Sequence, residues 1–144
     1  RVFPVLNTSA PTGGRFFLDA ACTQADPLTD DQALFFDTAA GVIVLLGCGH
    51  AGVVNTLEYV RGLTGGRPIY MIVGGLHLVT AAPERMDKTI AALRRLNIQR
   101  LAAAHCTGLP ALAQLWTAFP DRCLAWATGS SLVIAAVRAP TTAK

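Results

Sequence analysis

Three apolar runs, each followed by glycine or histidine and then by a helical pattern, constrain this chain most. They are "GVIVLLG", "PIYMIVGG" and "IQRLAAAH". Between the first two, Val53, Leu57 and Val60 fall on one helical face, and Thr64-Gly65-Gly66 ends the pattern, which predicts a helix over about residues 51–63. "PERMDKTIAALRRLN" predicts the clearest helix. Pro83 suits its first turn, Glu84 and Asp87 lie near its positive end, and Arg94 and Arg95 near its negative end. Met86, Ile90 and Leu93 form its apolar stripe, and Asn97 stops it. "LPALAQLWTAF" predicts a third, short helix. Strand–helix alternation of this kind predicts an α/β fold, a sheet with helices packed on it. The unbroken apolar strands predict burial on both faces.

Outside that alternation the signals are local. "QALFFDT" is joined to "GVIVLLG" by Ala-Ala, which predicts a hairpin or two adjacent strands. "RCLAWAT" and "SLVIAAV" read as further strands, and "RFFLDA" as a short one. The rest of residues 1–31 reads as irregular, with the turn-rich "APTGGR" and "ADPLTDD", and the tail "APTTAK" as frayed. A chain of 144 residues is expected to form one domain spanning 1–144.

Composition narrows the class. The chain is 52% hydrophobic and 15% charged, against roughly 45–50% and 25% in ordinary domains. Such an excess predicts a deeply buried core, or a face that packs on another chain. No apolar run approaches the length of a membrane helix, so no membrane span is expected. The net charge of +3 comes from scattered basic residues with no aromatic interleaving, so nucleic acid is not an expected partner. Cys22, Cys48, Cys106 and Cys123 form no C-x-x-C pair. With no signal-peptide pattern either, they are read as reduced, buried thiols of a cytoplasmic protein.

The three histidines carry the functional signal. His50, His77 and His105 each lie at or just past the C-terminal end of an apolar strand. If those strands run parallel, the three share the sheet edge where α/β folds bind ligands. Imidazoles so placed suit a divalent metal, zinc first, with manganese or iron as alternatives. Gly47, Gly49 and Gly52 also spell G-x-G-x-x-G, the dinucleotide-loop pattern. However, the following strand "MIVGGLHL" holds no acidic residue for a ribose, and Glu58 lies mid-helix. The glycines serve equally well to make a tight turn that presents His50.

Four segments, "DPLTDDQALFF", "GVIVLLGCGHAGVVNTLEYV", "YMIVGGLHL" and "LAAAHCTG", together resemble metallo-β-lactamase-fold metallohydrolases. The resemblance covers roughly residues 15–131 and is to the branch called dihydropterin-ribofuranosylaminobenzene-phosphate synthase-like. It implies an α/β class (α+β sandwich) structure: half of an αββα metallo-β-lactamase-type fold, a mixed sheet with helices on its outer face. By motif match, His50 and His105 take the places of metal-binding histidines. His77 falls where many members carry a bridging Asp, as a ligand, an acid/base group or a residue behind the ligands. The family's N-terminal His-x-His-x-Asp-His motif has no counterpart here. The resemblance therefore implies a C-terminal half, completed by a missing N-terminal half on the same or another chain, or by a homo-oligomer mate. The implied activity is that of a metallohydrolase, a metal-bound hydroxide attacking an ester or phosphoester-type small-molecule substrate. Two other classes are open: a nucleotide-binding α/β module using the Gly47–Gly52 loop, and a non-catalytic subunit that completes a partner's fold.

Other polar residues are weighed against structural roles. Asp26, Asp30 and Asp31 form one acidic cluster, which turn chemistry explains well. Asp30 and Asp31 lie in a segment shared with the resembling family, and Asp31 is expected at the catalytic site beside His77. Thr107 and Gly108 precede the last helix as caps or as an anion cradle. Cys48 and Cys106, next to the expected ligands, could bind a soft metal, but packing beneath the site is the more economical reading; Trp116 and Trp126 are read as core or interface aromatics.

Overall fold

The computed structural model describes residues 2–4, 17–26 and 31–134, with backbone alone at 2–4. Five strands form one sheet, in the spatial order β1-β2-β3-β4-β5. They are β1 (Val2–Pro4), β2 (Gln32–Thr38), β3 (Gly41–Leu46), β4 (Ile69–Gly75) and β5 (Arg100–Ala104). β1 pairs antiparallel with β2, and β2 with β3 as the expected hairpin, closing at Thr38 opposite Gly41. β3, β4 and β5 are parallel. The crossovers between them are α1 (Val53–Leu63) and α2 (Pro83–Arg95), and α3 (Leu109–Ala118) follows β5.

Side-chain alternation divides the sheet into two faces. Ala33, Phe35, Val42, Val44, Leu46, Leu101 and Ala103 face one way. They pack against Val53, Leu57 and Val60 of α1, Met86 and Leu93 of α2, and Ala111 and Leu115 of α3. All three helices therefore cover one layer, as the stripes in their sequences require. On the opposite face Ile43, Met71 and Ala102 form a smaller cluster with Leu45, Val73, Leu124, Trp126 and Ile134. Phe36, cross-strand from Ile43 on that face, is 48% exposed.

Two expectations need correction. "RCLAWAT" makes one bridge, Cys123 beside Leu101, with Leu124 N–H donating to the Leu101 carbonyl at 2.8 Å. The following residues to 134 form no strand, and the rest of "SLVIAAV" lies outside the described residues. These residues lie over the second face as an irregular strap in which Leu124, Trp126 and Ile134 are partly buried without a ladder. At the other end, Val2–Pro4 forms an edge strand where irregular chain was expected. Three residues carry no readable period, and pairing with β2 decides their conformation. In "RFFLDA" the described part makes only a bridge from Phe17 to Ala25. Asp30 and the tail "APTTAK" lie outside the described residues.

Candidate metal centre

The parallel strands bring the three expected histidines to one sheet edge. His50 lies in the loop after β3, His77 just past β4, and His105 opens a single 3-10 turn, His105–Thr107, after β5. Each loop is shaped by residues that only this arrangement requires.

The first loop turns at Gly49 (φ 68°) and Gly52 (φ 93°), and Gly52 N–H closes it on the Gly49 carbonyl at 3.0 Å. A carboxylate holds it from outside: the Ala51 N–H donates to Asp31 Oδ2 at 2.8 Å. It is tied to the next strand by Gly75 N–H, which donates to the Gly47 carbonyl at 3.0 Å.

The second loop carries His77 between buried Leu76 and Leu78. Leu76 N–H donates to Thr107 Oγ1 at 3.1 Å, and Val79 N–H to the Cys106 carbonyl at 3.3 Å. Thr107 is thus a buried strut between the second and third loops, a role beyond the capping its sequence position suggested. His77 (φ 47°) and His105 (φ 53°) both occupy the left-handed region. Non-glycine residues bear that cost where surrounding structure over-determines it, commonly at functional sites.

The imidazoles do not gather into one group. His50 and His77 pack edge to face, their ring centroids 4.5 Å apart. Burial pushes the His77 imidazole below its ordinary pKa. His50, Arg85 and His105 push the same way, and Asp31 opposes them. The exposed His105 turns instead to Cys48, with Nε2 3.1 Å from Sγ. Among the described residues one group of three ligating side chains has its donor atoms all within 4.8 Å of one another: Cys48, His105 and Cys106. The sequence reading preferred packing for both thiols over soft-metal binding, and the structure sets them beside His105.

Asp31 sits close enough to influence His77, but its Oδ2 is engaged by the Ala51 amide. Its visible work is to position the His50 loop. The same bond weakens the pyrophosphate reading, because a carboxylate already occupies an amide of the glycine loop, where a dinucleotide would bring more negative charge. Asp31→Ala is expected to cost about 1–3 kcal/mol, because the amide of the buried Ala51 loses its acceptor. Urea denaturation checks this, and an unchanged midpoint would show that the bond carries no stability.

Comparisons with known proteins bear on the fold. No protein-family model matches the chain. It is 34% identical over 101 residues to the 7,8-dihydropterin-6-methyl-4-(beta-D-ribofuranosyl)-aminobenzene-5'-phosphate synthase of Methanocaldococcus jannaschii, covering 70% of this chain and 34% of that one. A second protein of that organism, described as uncharacterized, is 30% identical over 90 residues, covering 62% of this chain and 32% of its own. The crystal structure of a metal-dependent hydrolase of the β-lactamase superfamily superposes with a TM-score of 0.81 at 28% identity, over 92% of this chain and 52% of that one. The chain thus spans about a third of the curated relatives it matches and about half of the solved structure. Its fold is that of the metallo-β-lactamase superfamily. Within that superfamily its sequence resemblance is to the dihydropterin-ribofuranosylaminobenzene-phosphate synthase-like branch. Among the described residues no helix is long and apolar enough to cross a membrane.

Proposed function

We propose that this chain contributes the β3–β4–β5 edge of a metal-dependent hydrolase centre acting on an ester, phosphoester or related electrophile. The observation that carries the reading is the convergence of His50, His77 and His105 on one parallel-strand edge, two of them on left-handed backbone. Similarity to a metal-dependent hydrolase supports it. The donor set fits a divalent ion: imidazoles suit zinc, and manganese or iron as well, and burial favours the neutral, ligating form of His77. His50 and His105 would hold the ion, with His77 beside them. A divalent ion held there would supply Lewis-acid polarisation of the substrate.

The chain's own residues do the positioning. Asp31 holds the His50 turn, and Thr107 holds the His77 loop against the turn that carries His105. His77, neutral and packed on His50, offers a ring nitrogen that can accept or return a proton during substrate turnover. The remainder of the centre comes from a further segment, a partner chain or a second copy. The apolar sheet face bearing Phe36, Leu45 and Val73 supports this, since such a piece would cover it.

The test is manganese content after loading and desalting, because manganese favours nitrogen and oxygen donors over thiolates. Near-stoichiometric retention is expected, lost in a His50→Ala/His105→Ala double variant of preserved circular dichroism. Phosphoester and lactone screens then follow. Absence of retained manganese in the parent chain, or its survival in the double variant, would sink the assignment of these ligands.

A further inference from the structure

We propose that Cys48, Cys106 and His105 form a separate, thiolate-rich site for a soft or borderline metal ion of the zinc class. It shares His105 with the imidazole centre but uses neither His50 nor His77, so it goes beyond that reading.

The geometry is built rather than incidental. Cys48 comes from the end of β3, and His105 and Cys106 from the end of β5. β4 lies between those strands, so their side chains can meet only by passing over its end. That end is Gly74-Gly75. A Cβ on Gly75 would sit 2.7 Å from Cys106 Sγ and 3.1 Å from the Cys48 Cα, so the missing side chain is the space through which the thiol reaches across. Cys106 Sγ there donates to the Cys48 carbonyl at 3.3 Å. Cys48 Sγ lies 3.1 Å from His105 Nε2, and all three donor atoms lie within 4.8 Å of one another. Around a tetrahedral zinc ion, bond lengths require sulfur–sulfur separations of about 3.8 Å and sulfur–nitrogen separations of about 3.6 Å. The 3.1 Å sulfur–nitrogen spacing is about half an ångström shorter than that value and no spacing exceeds 4.8 Å, so closing the site takes shifts on the scale of side-chain adjustment.

The donor set selects the ion. Two thiolates and an imidazole favour zinc, cadmium or copper(I) over magnesium, calcium or manganese. On binding, each thiol releases its proton to solvent, and the sulfur lone pair forms the bond to the metal. Three protein ligands leave a fourth position open, as in catalytic rather than structural zinc sites.

Cadmium titration tests the proposal, because thiolate-to-cadmium charge transfer gives an ultraviolet band that imidazole or carboxylate ligation does not. The titration uses the full chain carrying Cys22→Ser, which removes the exposed thiol. A band saturating at about one equivalent is expected. Cys48→Ser or Cys106→Ser should each cut it to about half, and the double variant should abolish it. His50→Ala should leave it intact. Cadmium-113 NMR of the unsubstituted site reports the number of sulfur ligands without relying on any variant's folding, and two are expected. No band, a band that survives the double cysteine variant, or a cadmium shift characteristic of nitrogen and oxygen ligands overturns the proposal. Manganese retention reports the imidazole centre independently, so the failure of either site is distinguishable from failure of the other.

Discussion

Gly74→Ala is expected to leave the chain largely unfolded under mild denaturant. Gly74 pairs with Leu46 across the β3–β4 ladder at φ 115°. A Cβ there would overlap the Leu46 carbonyl oxygen and crowd the Leu46 backbone nitrogen as well. These neighbours are backbone, so relief requires the two central parallel strands to part. The backbone conformation alone costs about 1–3 kcal/mol in a non-glycine residue, and overpacking adds about 1–3 kcal/mol. Together that is a large share of the roughly 5–15 kcal/mol by which a domain is stable. Urea denaturation followed by circular dichroism should show the midpoint collapse. A parent-like midpoint would mean that β4 shifts away from Leu46 at little cost.

Thr107→Val is expected to destabilise by about 2–3 kcal/mol, because a buried amide is left without its acceptor. The Thr107 hydroxyl and the Leu76 N–H that donates to it are both fully buried, so water cannot replace the bond. Valine nearly matches threonine in shape, which isolates the hydrogen bond from packing. Thr107→Ser keeps the hydroxyl and gives up a methyl group, and should be less affected. The order parent, Ser, Val in urea midpoint is the expected result. Manganese retention should follow the same order, because this bond joins the loop carrying His77 to the turn carrying His105. Equal stability of the Val and Ser variants would show that the Leu76 amide finds another acceptor.

Legibility from sequence followed the length of the signal. α1 and α2 were readable because each repeats an apolar stripe over three turns, and α2 adds Pro83 and paired terminal charges. The β2–β3 hairpin was readable because two apolar runs flank a two-residue turn. β1 was not, since three residues hold no period and take their conformation from β2. The strap at residues 124–134 misled because Leu124, Trp126 and Ile134 pack partly buried on the sheet, and apolar packing without a ladder looks the same in sequence as a strand.

At the candidate site, the sequence alone determined that His50, His77 and His105 follow apolar strands. Turn chemistry and strand composition are local, and they place each histidine at a strand end whatever the rest of the chain does. Which groups then meet was decided by tertiary structure. His50 turns to His77, while His105 turns to Cys48 and Cys106 across the end of β4. Asp31 reaches the Ala51 amide from twenty residues away in sequence. These contacts depend on strand order, on parallel register and on the absent side chain of Gly75. Strand order and register are not properties of any short stretch of sequence, because each arises only when separate strands pack side by side, and only that packing gives the glycine at 75 its role.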